Sequence, residues 1–451
     1  MTATSTTAPV SRRSTLQIVF VTLFVDLIGF SIIFPLFPGM LEYYSTQSPP
    51  SPLFATFYGV LESLTGLLGV SGGRWGIIVL FGGLLGSLYS LLQFVGAPLF
   101  GALSDRIGRR PVLLVSLAGI FVSYVLWFFA GSFELLVAAR LLGGIMSSNI
   151  STATAIVADV TDQKERSRGM AVIGIAFGLG FVIGPAVGGI SASLDLTAQF
   201  PALAAYGVNP FSMPAAIALG LTAFNLVFAA LRLPETRALA KGPRPERSAN
   251  PLALLRTVDY PGVTRTNLTY FLFLLAFSGM EFSLTFLAHE RLGYGPMQNA
   301  LMFLFVGGIL VLIQGGYVRR RSNKVGPRRM TIHGLVMVVP ALVLVGVAGG
   351  MQSQLVLYLG LALLAAGSAQ ATPCLTALAS AYAPADEQGR ILGIFRSLGA
   401  LARAIGPLFA AGLYWWLGPV AAYCLGGFFV LIPLYMSLKL PRLELVSAGE
   451  R

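Results

Sequence analysis

Charge is scarce in this chain. Only 11% of its 451 residues are Asp, Glu, Lys or Arg, and the mean hydropathy is +0.78. A water-soluble domain carries roughly 25% charged residues, so an ordinary soluble enzyme or binding module is excluded. Histidine and cysteine number two each. Cys374 and Cys424 fall inside apolar runs with no neighbour at metal-ligand spacing, which leaves neither a disulfide framework nor a metal centre to expect. The sequence also lacks a Walker loop and a G-x-S-x-G elbow. Direct ATP drive and nucleophilic hydrolysis lose their usual carriers, and neither an enzymatic activity nor a cofactor is expected. No cleavable signal is apparent, because Arg12 and Arg13 precede an apolar stretch too long for an h-region and without a small-residue cleavage site.

What the chain has instead is long apolar runs, recurring from Leu16 to Leu440. Each crossing of about 30 Å of hydrocarbon needs roughly 20 mostly apolar residues. Apolar length and boundary charge place spans near 16–40, 77–101, 111–131, 134–158, 168–192 and 211–233, then near 267–289, 296–318, 330–350, 353–382, 388–416 and 418–440. The stretch from Glu42 to Trp75 contains the apolar FYGVLESLTGLLG, yet Glu62 and its short length argue for an external loop holding one short helix.

The 30 Lys and Arg outnumber the 18 Asp and Glu, and their placement explains the excess without nucleic acid. Arg140, Arg396 and Arg403 fall inside spans, and Arg74 and Arg291 fall in loops of one side. The other basic residues collect on the opposite face, which the positive-inside rule assigns to the cytoplasm. The expectation is a multi-pass integral protein of the cell (inner) membrane with both termini cytoplasmic.

Residues 234–265 are rich in Arg and Pro and read as a cytoplasmic linker between an N-terminal bundle, 1–233, and a C-terminal bundle, 266–451. The halves echo one another. GALSDRIGRRPVLL after the second span matches YVRRRSNKVGPRRM after the eighth, setting Gly108 and Arg110 against Gly326 and Arg328. In the fifth and eleventh spans Gly184-Pro185 faces Gly406-Pro407. Parallel repeats of this kind put a binding site at the midplane between halves and suggest alternating access.

The run from Gly101 through Asp105, Gly108 and Arg109 to Arg110 resembles the signature loop of the major facilitator superfamily. RLLGGI from Arg140 resembles the fourth-helix motif of that superfamily, GFVIGPAVGG from Gly180 its antiporter motif, and LPET from Leu233 a common end of its sixth helix. Within it, FVDLIGFSIIFPLFP resembles the tetracycline-efflux branch of drug:proton antiporters. IVADV, FSGMEFSLTFLAHERL and RSLGALARAIGP are similar to that branch's animal members. The resemblance implies an all-α membrane fold of twelve transmembrane helices in two pseudo-symmetric six-helix bundles, the major facilitator fold, working as a monomer on organic anions or tetracycline-like drugs. The second half departs from the signature, with Asn323 where the first has Asp105.

A carboxylate in mid-membrane costs about 2.5–3.5 kcal/mol on insertion scales, so Asp26, roughly 15 Å into the first span at 1.5 Å per residue, calls for an explanation. Proton uptake and release is one; a permanently paired packing residue is the other. Glu281, ~21 Å into the seventh span, is its counterpart in the second half, with the same alternatives.

Arg396 and Arg403 stand two turns apart on one helix face, and Arg403 lies ~20 Å in, level with Glu281. A guanidinium forms bidentate pairs with carboxylates, so Arg403 can exchange Glu281 for an anionic group of a small-molecule substrate. A static pair fixing helix packing is the alternative, and Arg396 can instead meet the signature loop. The resemblance implies that Arg140 modulates a first-helix carboxylate, against the alternative of snorkelling to headgroups. It also implies that Gly101, Asp105, Arg109 and Arg110 form a gate, with Asp105 latching the eleventh helix. Gly180, Gly184 and Gly188 form a small-residue face, and Pro185 permits a bend suited to gating. Gln93, Asn149, Gln314, Gln370 and Tyr89 are candidates for lining a cavity. The reading is a secondary transporter exchanging protons for amphipathic organic solutes; the alternative is a facilitator or importer of a small organic anion without proton antiport.

Overall fold

The computed structural model describes residues 12–69, 73–161, 166–237, 260, 262–384 and 388–441. Most of the expected linker, 238–259 and 261, and both chain ends lie outside the described residues. α1 (Arg12–Ser31) stops short of its expected end because Pro35 cannot donate an N–H to a continuing helix. A 3-10 turn at Phe34–Leu36 re-aims the chain, and α2 (Phe37–Thr46) completes the span with Pro38 in its first turn. α3 (Pro52–Leu68) is the expected loop helix; the Ser51 hydroxyl caps its start, and Gly69 ends it at a φ of 61°.

α4 (Gly73–Ile107) and α5 (Arg109–Phe128) are the second and third spans, joined at Gly108, whose φ of 116° favours glycine. The fourth span is two helices, α6 (Phe133–Met146) and α7 (Asn149–Val160), broken at Ser147-Ser148. α8 (Arg166–Ser191) follows, then the one-turn α9 (Leu196–Gln199), a 3-10 turn and α10 (Ser212–Arg232).

The second half runs through α11 (Val263–Leu292) and α12 (Pro296–Leu312). α12 continues as a π-helical turn, Ile313–Val318, into α13 (Arg319–Val325). α14 (Pro327–Met351) starts after Gly326 at a φ of 85°, repeating the turn made by Gly108. α15 (Gln354–Ala381) and α16 (Gln388–Leu438) complete the chain. Gly418, at φ 79° and ψ 169°, breaks α16 into two spans. Among the described residues eleven helical segments are long and apolar enough to cross a bilayer, and the break at Gly418 makes them twelve.

The described chain falls into two compact units. The first takes in Met1–Ile33, Val95–Gly131 and Leu135–Pro251. In it α1 packs against α7, α8 and α10, with Leu23, Leu27, Leu117, Ile156, Val157 and Ile173 in one core. α8 approaches through its glycines. A Cβ on Gly184 would stand 2.7 Å from the Ile28 carbonyl oxygen, and one on Gly188 would stand 2.0 Å from that of Ile32. In a bilayer such close backbone approach replaces the hydrophobic drive that lipid removes. The Ser31 hydroxyl adds an interhelical bond to the Gly180 carbonyl at 3.0 Å.

The second unit holds Phe34–Phe94, Ser132–Glu134 and Leu252–Arg451. In it α11 lies on α16 in the same manner. A Cβ on Gly406 would meet the Leu275 carbonyl oxygen at 2.8 Å, and one on Gly279 would meet Ala410 Cβ at 2.8 Å. Gly184-Pro185 and Gly406-Pro407 therefore do the same work in the two repeats. Each seats the fifth helix of its repeat on the first.

Candidate functional site

Asp26 lies on the buried side of α1, only 5% exposed. Its Oδ2 accepts a hydrogen bond from Asn149 Nδ2 at 3.0 Å. The break at Ser147-Ser148 puts Asn149 at the start of α7, where its fully buried amide reaches α1. Among the described residues the Asn149 Oδ1 faces no hydrogen-bond partner, nor do the buried hydroxyls of Thr22, Thr152 and Thr222 or the Oδ1 of Asn225. Asn225 Nδ2 donates to the Thr22 carbonyl at 2.9 Å, so α10 joins this polar seam. Other threonines, the helical Thr154, Thr266 and Thr269 and Thr161 at the end of α7 among them, return their hydroxyls to the carbonyl four residues back. Arg140 is 4% exposed, with its guanidinium 4.8 Å from the Trp127 ring centre, so it is buried in the unit rather than snorkelling to headgroups.

At the end of the same unit that carries the signature loop, Arg109 is the hub. Its Nε meets Asp159 Oδ2 at 2.9 Å, and its Nη1 meets Asp105 Oδ1 at 2.5 Å and Ser104 Oγ at 2.8 Å. The Ser104 hydroxyl in turn donates to the Gly101 carbonyl at 2.8 Å. Glu235 closes the loop, accepting the backbone N–H of Arg109 at 2.9 Å and of Arg110 at 3.1 Å. Arg110 itself is exposed, with Nη2 on the Ala230 carbonyl at 2.6 Å. A Cβ on Gly108 would stand 2.5 Å from Glu235 Oε2, so a side chain here would push the Glu235 carboxylate off its backbone donors. Burial works to raise the Glu235 carboxyl. The backbone N–H groups of Arg237, Arg109, Arg110 and Thr236 outweigh it and hold the group below the usual carboxylate range.

In the second unit Glu281 is half-buried on α11, and Arg403 on α16 acts on it electrostatically. Arg403 and Arg396 both act on Tyr270, whose ring stacks on Phe395 at 3.8 Å between centres and 14° between planes. Gly399, one turn from each arginine, makes room for that ring; a Cβ there would be 2.8 Å from Tyr270 Cε1. Two guanidinium groups, a carboxylate and a stacked aromatic pair thus share the α11–α16 seam. Gln93 is half-buried, Tyr89 buried, and Gln314 exposed on the π-helical turn. Gln370 is buried, and its Nε2 bonds the Ala366 carbonyl at 3.1 Å and Met337 Sδ at 3.4 Å, as a helix-packing group does. At the other end of α11, His289 Nε2 lies 3.5 Å from Glu42 and its ring 5.0 Å from that of Trp75, while the Tyr414 hydroxyl donates to Glu290. Among the described residues no group of three His, Cys, Asp or Glu side chains is placed to share a metal ion.

Asp26, Glu281 and the arginines stand out in the sequence as charges within apolar runs. Asp159 and Glu235 do not stand out as partners of Arg109, although both lie in strings, IVADV and LPET, that carry the family likeness. Nor do Tyr270 and Phe395, which nothing in an apolar run singles out.

A repeated membrane architecture, with a carboxylate set within the first helix of each repeat, defines a class: a membrane protein built to carry a solute. The chain belongs to the Major Facilitator Superfamily, whose pattern it matches over residues 19–407, and it has that family's fold of twelve helices in two bundles. Similar relatives include Major facilitator superfamily domain-containing protein 10 of Homo sapiens, 38% identical over 95% of this chain and 93% of that one. The class C tetracycline resistance protein of Escherichia coli is 27% identical over 89% and 90% respectively. Among solved structures, the human organic anion transporter MFSD10 (TETRAN) superposes with a TM-score of 0.72, at 38% identity, over 95% of this chain and 100% of that one.

Proposed function

We propose that this transporter exports amphipathic organic anions in exchange for protons. The observation that carries the reading is the placement of Glu281 under the charge of Arg403, beside Arg396 and the Tyr270–Phe395 stack. A guanidinium held by an acid is released when that acid takes a proton, and a free buried guanidinium binds an anion. The stacked rings suit the apolar body of an amphipathic solute. Asp26, bonded to Asn149, is the second proton carrier.

The cycle runs by alternating access: a proton from outside neutralises an acid, frees Arg403 for substrate and leaves on the cytoplasmic side. Coupling follows because each ligand binds the two states unequally. Similarity to the human organic anion transporter and to the tetracycline-resistance proteins supports the same substrate class. The protein works as a monomer in the cell membrane, with the basic loops and both termini cytoplasmic, and 234–265 links its bundles.

Counterflow of organic anions in liposomes, with and without a pH gradient, tests this. Glu281→Gln or Asp26→Asn is expected to abolish the gradient's effect while leaving exchange, and Arg403→Ala to abolish anion uptake. Gradient-driven transport unchanged in all three, or insensitive to an uncoupler in the parent protein, overturns the proposal.

A further inference from the structure

α3, in the loop between the first two spans, carries three stripes rather than two. Phe54, Tyr58, Leu61 and Thr65, at spacings of four, three and four, form the protein-facing stripe. Phe54 packs its ring 5.2 Å from Phe81 and 5.4 Å from Phe133, Leu61 is 8% exposed, and Thr65 Oγ1 accepts from Trp415 Nε1 at 3.0 Å. The helix start is tied down as well, since Glu134 accepts from the Ser51 hydroxyl at 2.5 Å and the Leu53 N–H at 3.0 Å.

One residue around, Leu53, Phe57, Val60, Leu64 and Leu67 form a second apolar stripe, and it is open: Phe57 is 46% exposed, Val60 54%, Leu64 41% and Leu67 82%. The third stripe is small and polar, with Thr56, Gly59, Ser63 and the helix's one charged residue, Glu62, all outside the packed side. One face toward protein, the next apolar and open, and the far one polar is the pattern demanded where protein, lipid and water meet.

We infer that α3 is an interfacial helix, lying on the protein with its Leu53–Leu67 stripe sunk into the acyl region of the leaflet opposite the basic loops. A large apolar stripe backed by a polar face is the mark of helices that lie in the interface plane. Thr65 is fastened to Trp415, and the next two residues, Trp416 and Leu417, are 60% and 40% exposed, where an aromatic belongs at the membrane–water boundary. A second copy of the chain is a poorer occupant, because a stable protein interface buries about 1,000 Å² or more, beyond what five side chains of one stripe supply. Nor does charge draw the helix to anionic headgroups, since it carries no basic residue.

Nitroxide labels at single cysteines in a Cys374→Ala, Cys424→Ala background test the inference on the full chain in nanodiscs. Labels at Val60→Cys and Leu64→Cys are expected to collide with oxygen several-fold more than with a water-soluble nickel chelate, and labels at Thr56→Cys and Ser63→Cys to show the reverse. The contrast is expected to be equal in phosphatidylcholine alone and in mixtures with phosphatidylglycerol. Stripe labels open to the nickel reagent, or closed to both reagents as under a second copy, overturn it. So does a contrast that needs the anionic lipid. Quenching of fluorophores at the same four positions by bromine-labelled lipid chains gives an independent reading, expected only at 60 and 64.

Discussion

At the scale of single residues, the pair Asp26–Asn149 is where packing and proposed function meet most closely. A buried carboxylate loses water on all sides, and the Asn149 amide donates to it at 3.0 Å. A hydrogen bond to a charged group contributes about 1.5–3 kcal/mol. Asn149→Ala is therefore expected to lower thermal stability markedly, and Asp26→Asn/Asn149→Ala to lose less than the sum of the single losses. A double-mutant cycle in detergent checks this; additive losses would mean that the contact is incidental. Thr22→Val, one turn away, tests the open hydroxyls of the seam and is expected to cost little, because it removes a polar group that has no partner among the described residues.

Glu235 makes a second residue-scale case, this one outside the membrane. Its folded carboxyl is held below the ordinary carboxylate range by backbone N–H donors, against burial, so the folded state binds fewer protons than the unfolded. The sign follows from linkage: the stabilisation is full above the unfolded pKa near ~4.3 and is lost as pH falls through the folded value. Glu235→Gln is expected to melt below the parent at neutral pH, and the gap is expected to close on acidification. Melting curves across pH check it, and a gap that widens toward acid would contradict it.

At the scale of elements, glycines decide which helices may touch. Gly188 has the Ile32 carbonyl oxygen where a Cβ would go, at 2.0 Å, whereas Gly220 in the middle of α10 has nothing within 4 Å. Overpacking of this kind costs about 1–3 kcal/mol or more, while alanine in place of an unhindered helical glycine stabilises by about 0.5–1 kcal/mol. Gly188→Ala is thus expected to destabilise and Gly220→Ala to be neutral or better, read as opposite shifts in thermal unfolding.

Much at this scale was legible in the residues. Apolar length located α5, α10, α14 and α15 within a few positions of their ends, and Gly108 and Gly326, matched as a repeat, prove to be equivalent turns of positive φ. The breaks at Ser147-Ser148 and at the π-helical turn through Gly315 and Gly316 were not legible, because neither pair interrupts hydropathy. The site divides in the same way. Asp26 and Glu281 stand out as carboxylates in lipid-length runs, but nothing in the sequence ties Asn149 to a residue 123 positions away. Nor does it bring Asp159 and Glu235 to one arginine.

At the scale of the whole molecule, orientation is the property on which the direction of transport depends. Lys and Arg near the ends of spans resist crossing toward the outer side, and their sum over short loops sets topology. In this chain the loop from Arg106 to Arg110 holds three basic residues and that from Arg319 to Arg329 six, against Arg74 and Arg291 on the other side. If the basic loops are cytoplasmic, α3 faces outward and its stripe meets the outer leaflet. Lys324 and Glu62 are both exposed, so cysteines placed there report opposite sides without disturbing a packed group. In intact cells a membrane-impermeant maleimide is expected to label Glu62→Cys at once and Lys324→Cys only after permeabilisation. Labelling of Lys324→Cys in intact cells would invert the molecule, and with it the side from which Asp26 and Glu281 take their protons.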